Sequence, residues 1–186
     1  MGNEARNAIV LDRGITRKEI NALVVAPSLA SDCGLALPQA NSINRLYKII
    51  VSMRDGAVTP NEISMSQEFT YRQAAYYLDA LKYLNIAWKP KCAVFELTEK
   101  GRLIAESKTK DACLLIAKEI LSHFVFMRTF KLCLKNESIP KTNTVVEIMR
   151  RCGIVSESPA TEKRRAASIR DWVIWIVSLP YDMPIE

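Results

Sequence analysis

The chain of 186 residues has a single histidine, His123, and five widely spaced cysteines, Cys33, Cys92, Cys113, Cys133 and Cys152, with no C-x-x-C pair among them. An odd set of thiols beside one imidazole argues against a zinc site and for reduced cysteines in a cytoplasmic protein. No uninterrupted apolar run reaches the length of about 18 residues that a membrane span needs. The N-terminus lacks a basic and then apolar leader with a cleavage site, so a soluble intracellular protein without a membrane partner is expected. Neither a P-loop nor a G-x-G-x-x-G is present, which removes the commonest phosphate cradles. No metal and no cofactor are expected.

What is there is a core and a charge. Hydrophobic residues make up 49% of the chain, which implies an ordered interior, and the length allows one large or two small domains. The formal net charge is +6 with a pI near 9.1. That balance favours a polyanionic partner, although a basic protein with no nucleic-acid partner would show the same charge.

The block from Ile43 to Glu106 is the most readable. Ser42 caps a helix in which Ile43, Leu46, Ile49, Ile50 and Met53 share one face, and Asp55-Gly56 stops it. Thr59-Pro60-Asn61-Glu62 combines a hydroxyl cap, proline at the first helical position and glutamate at the third. It predicts a short second helix carrying Ile63 inward, with Met65 a further candidate. Thr70 caps a third helix over Tyr71 to Tyr83, whose inner stripe is Ala74, Leu78 and Leu81 with Tyr77 as an addition, and whose outer face holds Arg72, Gln73, Tyr76 and Asp79. Ile86 to Lys89 and Ala93 to Leu97 then flank Pro90-Lys91-Cys92 as a hairpin with a basic tip, Val94 and Glu96 alternating against Phe95 and Leu97. Thr98-Glu99-Lys100-Gly101 opens a closing helix carrying Leu103 and Ile104.

The run from Tyr71 to Ile86, with its "RQ-x-x-YY" start, and the later Phe95-Glu96-Leu97-Thr98-Glu99-Lys100-Gly101 resemble winged-helix DNA-binding modules. Such modules commonly end the third helix in Tyr-Leu-Gly-Leu and the wing in Leu-Thr-x-x-Gly. Asn85 stands where the glycine usually is, and both residues tolerate a left-handed C-cap. Similar modules occur in prokaryotic transcription regulators and as recognition domains of type II restriction endonucleases, and the "RQ-x-x-YY" form is nearer the latter. The resemblance covers about a third of the chain.

Before it, Ala8 to Leu11 reads as a short strand, and Thr16-x-x-Glu19 as a capping box for a helix with Ile20, Leu23 and Val24. The stretches 27–31 and 38–42 are loop-like. Arg6, Arg13, Arg17 and Lys18 either follow a DNA backbone or form a solvated basic surface. Residues 1–40 are therefore expected to be an arm, residues 41–109 a first winged-helix domain, and residues 110–186 a second, winged-helix-like helical domain. In the latter, one long helix from Asp111 carries Leu114, Ala117, Ile120, Leu121 and Phe124, with Phe126 a further candidate, toward Leu132. A second helix starts at Pro140 with Val145, Val146 and Met149 inward and ends at Cys152-Gly153. A third follows Ser158-Pro159 with Thr161 as its cap, burying Ala166, Ile169, Trp172, Val173 and Ile176 and turning Glu162, Lys163, Arg164 and Ser168 outward. Its "T-x-x-RR-x-x-S-I-x-x-W" pattern resembles second modules that follow "RQ-x-x-YY" helices in restriction-related proteins.

The fold expected is mainly α with small β hairpins, α+β, arranged as a tandem winged helix-turn-helix. The function expected is sequence-specific binding of double-stranded DNA by two readers, in a restriction or defence system or in transcriptional control. The candidate contacts on the first are Thr70, Tyr71, Arg72, Gln73 and Tyr76, with Lys89 and Lys91 on the wing. On the second they are Thr161, Lys163, Arg164, Arg165 and Ser168. Arginine donates twice to guanine and glutamine pairs with adenine. Against base contact, Arg72 can form an intramolecular salt bridge to a carboxylate such as Glu68 or Asp79, and Arg170 with Asp171 can form a mere surface pair. No catalytic residue is expected. Glu106-Ser107-Lys108 has the E-x-K spacing of metal-dependent nucleases but lies at a helix end without an upstream aspartate on a strand, and His123 sits in an apolar helix. Nuclease activity would need a partner or another domain, and a homodimer is a further expectation. The alternative class is a protein-interaction adaptor, docking through the Tyr-rich helix or the Trp172/Trp175 end.

Overall fold

Side-chain caps place most of the helix starts. The computed structural model describes residues 15–24, 37–154 and 158–181; the expected strand at 8–11, the loop at 27–31, and Arg6 and Arg13 lie outside these. Thr16 and Glu19 close a capping box at α1 (Arg17–Ala22), and Ser42 caps α2 (Ile43–Ser52), which tightens into a 3-10 turn ending at Gly56. Thr59 with Glu62 and Thr70 with Gln73 form two further capping boxes, at α3 (Pro60–Ser66) and α4 (Tyr71–Tyr83). Each box satisfies orphan N–H groups from within the local sequence, which is why these boundaries were readable.

The end of α4 is equally local. Asn85 adopts a φ of 55°, the Ile86 N–H donates to the Leu81 carbonyl and the Asn85 N–H to that of Lys82. This is a Schellman closure with asparagine in the left-handed position. The chain then forms β1 (Ala87–Lys91) and β2 (Val94–Leu97), an antiparallel pair, with an isolated antiparallel bridge from Val58 to Phe95 beside it. The hairpin turns at Cys92-Ala93 and not at Pro90 to Cys92, because β1 runs on through Pro90 with an irregular register between Trp88 and Lys91. Proline has no N–H for the ladder and is accommodated at such a break. In β2 only Phe95 and Leu97 are buried, as the alternation implies.

Thr98 caps α5 (Glu99–Glu106), and its hydroxyl also donates to the carbonyls of Asn85 and Ile86. A Cβ on Gly101 would run into the Ile86 carbonyl oxygen, so the Leu-Thr-x-x-Gly sequence is what lets α5 close against the end of α4. Leu103 and Met65, expected inward, are exposed: Ile104 and Ile63 take the core positions, and residues one or two places away point elsewhere on a helix.

The C-terminal part is four helices: α6 (Thr109–Leu121), α7 (Phe124–Asn136), α8 (Thr142–Arg151) and α9 (Pro159–Ser178). The expected single long helix breaks at Ser122-His123. The Ser122 hydroxyl donates back to the Glu119 carbonyl, and His123 turns extended, its ring stacked 4.0 Å from that of Tyr83 at the end of α4. Helix α8 starts at Thr142, two residues later than expected, with Pro140 buried ahead of it. Ser158, not Thr161, caps α9, because proline occupies the first helical position and its missing N–H costs nothing there. Glu162 points inward, not out: Arg150 of α8 grips both its carboxylate oxygens at 2.8 Å and holds its pKa below the usual range.

The result is a mainly helical α+β molecule, and among the described residues β1–β2 is its only sheet. One cluster of buried side chains runs through both halves. At its centre Trp172 is fully buried, stacked 5.1 Å from Phe126, and its indole N–H donates to the Ala40 carbonyl at 2.8 Å. Trp175 adds a bond to Asn44 of α2.

Replacing Trp172 with alanine should lower the unfolding free energy by about 3–5 kcal/mol, read from urea denaturation, since it opens a cavity and leaves a carbonyl without its donor. At α1, the Lys110 ammonium first, then Thr16, holds the Glu19 carboxyl down from 4.5 to about 2, with Lys110 Nζ 2.9 Å away. A carboxylate depressed in the folded state contributes stability fully above its unfolded value and loses it as the pH falls through the folded one. The α1–α6 tie should therefore hold above about pH 4.5 and loosen as pH falls toward 2. In an NMR titration, Lys110→Ala should move the Glu19 midpoint back up toward 4.5.

Candidate nucleic-acid interface

Helices α4 and α9 meet across a cleft of about 280 Å³. Gln73 and Tyr76 of α4 and Arg164 and Ser168 of α9 all line it, so four of the sequence-derived contacts from the two halves come together. Arg45 from α2 and Asp171 from α9 line it too. The sequence reading missed both: Arg45 is an ordinary outward residue of an amphipathic helix, and Asp171 was paired with its neighbour. In the fold Arg170 turns away to donate to the Pro140 carbonyl, and Asp171 is half-buried on the cleft wall. Burial pushes the Asp171 carboxyl above its ordinary value, with Arg170 pulling the other way.

The individual contacts differ from simple expectation. Arg72 is exposed, and its partner is neither Glu68 nor Asp79. Its Nε donates to the Tyr76 hydroxyl at 2.6 Å and its guanidinium lies 5.3 Å from the centre of that ring. On an exposed helix such a pair contributes about 0.5–1 kcal/mol, so a stronger partner can draw the arginine away. Tyr77, the neighbour of Tyr76, is buried, stacked on Phe69, and donates to Asn41. Gln73 Oε1 accepts from both the backbone and the hydroxyl of Thr70. The expected two-point pairing with adenine needs that oxygen, so the bond available from Gln73 without breaking the cap is a donation from its amide. Thr70 likewise has its hydroxyl in the cap, while Tyr71 is exposed.

On α9, Lys163 and Arg164 are exposed and Arg165 is half-buried. Arg164 donates to the Thr161 hydroxyl at 3.2 Å, placing its head over the first turn. Ser168 is buried in place of projecting outward, because its hydroxyl folds back onto the Arg164 carbonyl. Lys89 and Lys91 are exposed on the hairpin, outside the cleft, with Lys89 over the Phe95 ring at 5.5 Å.

Two other features settle in the fold. At the Trp172/Trp175 end, Trp172 is fully buried and Trp175 partly so. Glu106 ends α5 and Ser107 is its C-cap. Among the described residues no three histidine, cysteine, aspartate or glutamate side chains gather closely enough to hold a metal ion, and no helix is long and apolar enough to cross a membrane.

Since Thr70 supports the turn that carries Arg72 and Gln73, Thr70→Ala should cost about 0.5–2 kcal/mol in thermal unfolding. It should also raise amide hydrogen exchange at residues 71–73 more than at the end of α4.

No curated protein and no solved structure matches the chain. Residues 45–181, from α2 past the end of α9, match the family described as Domain of unknown function (DUF7226), and the chain belongs to that family.

Proposed function

We propose that the chain is a sequence-specific double-stranded DNA-binding protein with two helix-turn-helix readers, α3–α4 and α8–α9. The observation that carries this reading is that α4 and α9 border one cleft, with the exposed Gln73 on one helix and the exposed Arg164 on the other, so that a duplex lying across the cleft, not in it, would meet both helices. Two readers held in one core keep a fixed spacing on a duplex.

Further support comes from the order of elements in residues 43–106. Helix, extended bridge, helix, helix, hairpin and helix is the order of a winged helix, with Lys89 and Lys91 on the wing. Residues 41–109 are then the first winged-helix domain. Residues 109–178, in α6 to α9, supply a second helical reader without a hairpin among the described residues. The net charge of +6 suits a polyanion. The role fits recognition in a restriction or defence system, or transcriptional control in the nucleoid, with cleavage supplied by a partner chain or further domain. A two-fold dimer would suit a palindromic site.

An adaptor role keeps one observation in its favour, the exposed Tyr71 and Trp88. The two readings separate on salt. DNA binding should weaken with a log–log slope of roughly −0.9 per phosphate neutralised, whereas an apolar protein contact is nearly insensitive to salt. With an oligonucleotide selected from a random pool, Arg72→Ala should cost about 1–3 kcal/mol on the selected site and much less on random DNA. Lys91→Ala should weaken both alike. Equal losses on both DNAs for Arg72→Ala would contradict base reading by α4.

A further inference from the structure

The hydrogen-bonding inventory of the cleft between α4 and α9 is weighted toward donors. Gln73 already accepts twice from Thr70 and so has only its amide N–H groups left to offer, and Asn41, which accepts from Tyr77, has its amide N–H groups to offer as well. The Tyr76 oxygen accepts from Arg72, which leaves its own proton to donate. Arg45 and Arg164 donate only. Asp171 is the opposite, an acceptor that is half-buried, and among the described residues no hydrogen bond or ion pair reaches its carboxylate. Burial already disfavours the charged carboxylate, and a ligand bearing N–H donors would replace the solvent it loses there.

The complementary ligand is therefore anionic, rich in acceptors, and equipped with one donor edge. A cleft of about 280 Å³ lies at the small end of ligand pockets, enough for one planar ring system and far too small for a duplex. Of the four DNA bases only guanine presents two adjacent donors, N1–H and the N2 amino group, matching the two oxygens of a carboxylate. Its O6 beside them accepts from an amide such as that of Gln73, and Tyr76 offers an aromatic wall.

We propose that this cleft is a guanine-nucleotide site, in which Asp171 accepts the N1 and N2 protons of the base and Arg45 and Arg164 meet its phosphate. The guanine comes from a bound DNA strand, extruded or unpaired, or from a free nucleotide. The first source rests on the DNA-binding reading; the second does not.

The test uses the full chain. Guanosine, adenosine, cytidine and thymidine monophosphates are titrated by calorimetry. In parallel, anisotropy compares a paired duplex with duplexes that place a guanine or an adenine opposite an abasic site. Guanine should be preferred about tenfold in at least one format. Asp171→Asn, nearly the same in shape, should abolish that preference with the melting curve retained. Ala167→Leu, which narrows the cleft and keeps the carboxylate, should weaken guanine binding as well and carries the test if Asp171→Asn does not fold. A preference confined to the abasic duplex assigns the site to DNA, and one seen only with free nucleotide assigns it to a small ligand; both support a guanine site. Equal affinity for all bases, or a guanine preference that survives Asp171→Asn, overturns it. Loss of salt-dependent binding to the paired duplex alone would count against the DNA reading and leave the cleft standing.

Discussion

A chain of aromatic rings sets the distance between the two halves. Tyr83, at the end of α4, stacks on His123 at 4.0 Å; Phe126, one turn into α7, stands 6.2 Å from Tyr83 and 5.1 Å from Trp172 of α9. Trp172 is fully buried and is bonded to the Ala40 carbonyl just ahead of α2. Rigid rings at van der Waals spacing leave little slack, and interiors packed this closely transmit displacement instead of absorbing it. The separation of α4 from α9, and hence the width of the cleft between them, follows from this packing. Both helices can meet one ligand only because their other faces are committed to the same core.

The exposed faces show the complementary economy. The groups that start α4 serve structure first: Thr70 and Gln73 satisfy each other's backbone donors before any ligand arrives. What remains for recognition is donor-rich and cationic, namely Arg72, the Gln73 amide, Arg164 and Lys163. Phosphate oxygens and the acceptor-bearing edge of guanine suit such a surface, and the donor edge of guanine suits Asp171. The Arg72–Tyr76 pair keeps the arginine ordered along the helix, which reduces the side-chain entropy lost on binding.

Local chemistry was legible in the sequence and tertiary choices were not. The bounds of α4, the left-handed Asn85, the need for Gly101 and the capping boxes of α1 and α3 all depend on residues within a few positions of one another, whereas Gln73, read as an outward contact, turned out to complete a third box with Thr70. The break at His123 depends on a ring from α4, far away in sequence. Glu162 looked like an outward residue because its partner, Arg150, sits on another helix. Between Ser158 and Thr161, two hydroxyls three residues apart, Pro159 decides, and weighing its position would have identified the cap from sequence. Of the cleft, Gln73, Tyr76, Arg164 and Ser168 had been singled out in the sequence, whereas Arg45 and Asp171 join it only through packing of α2 and α9 against α4.

The most direct check on a shared binding face is an NMR titration with a selected duplex, following backbone amides throughout the chain. The account predicts that Gln73 and Tyr76 on α4 and Arg164 and Ser168 on α9 shift together with one midpoint, while the amides of α6 stay still. Shifts confined to one of the two helices, or centred instead on the exposed Trp88, would contradict it.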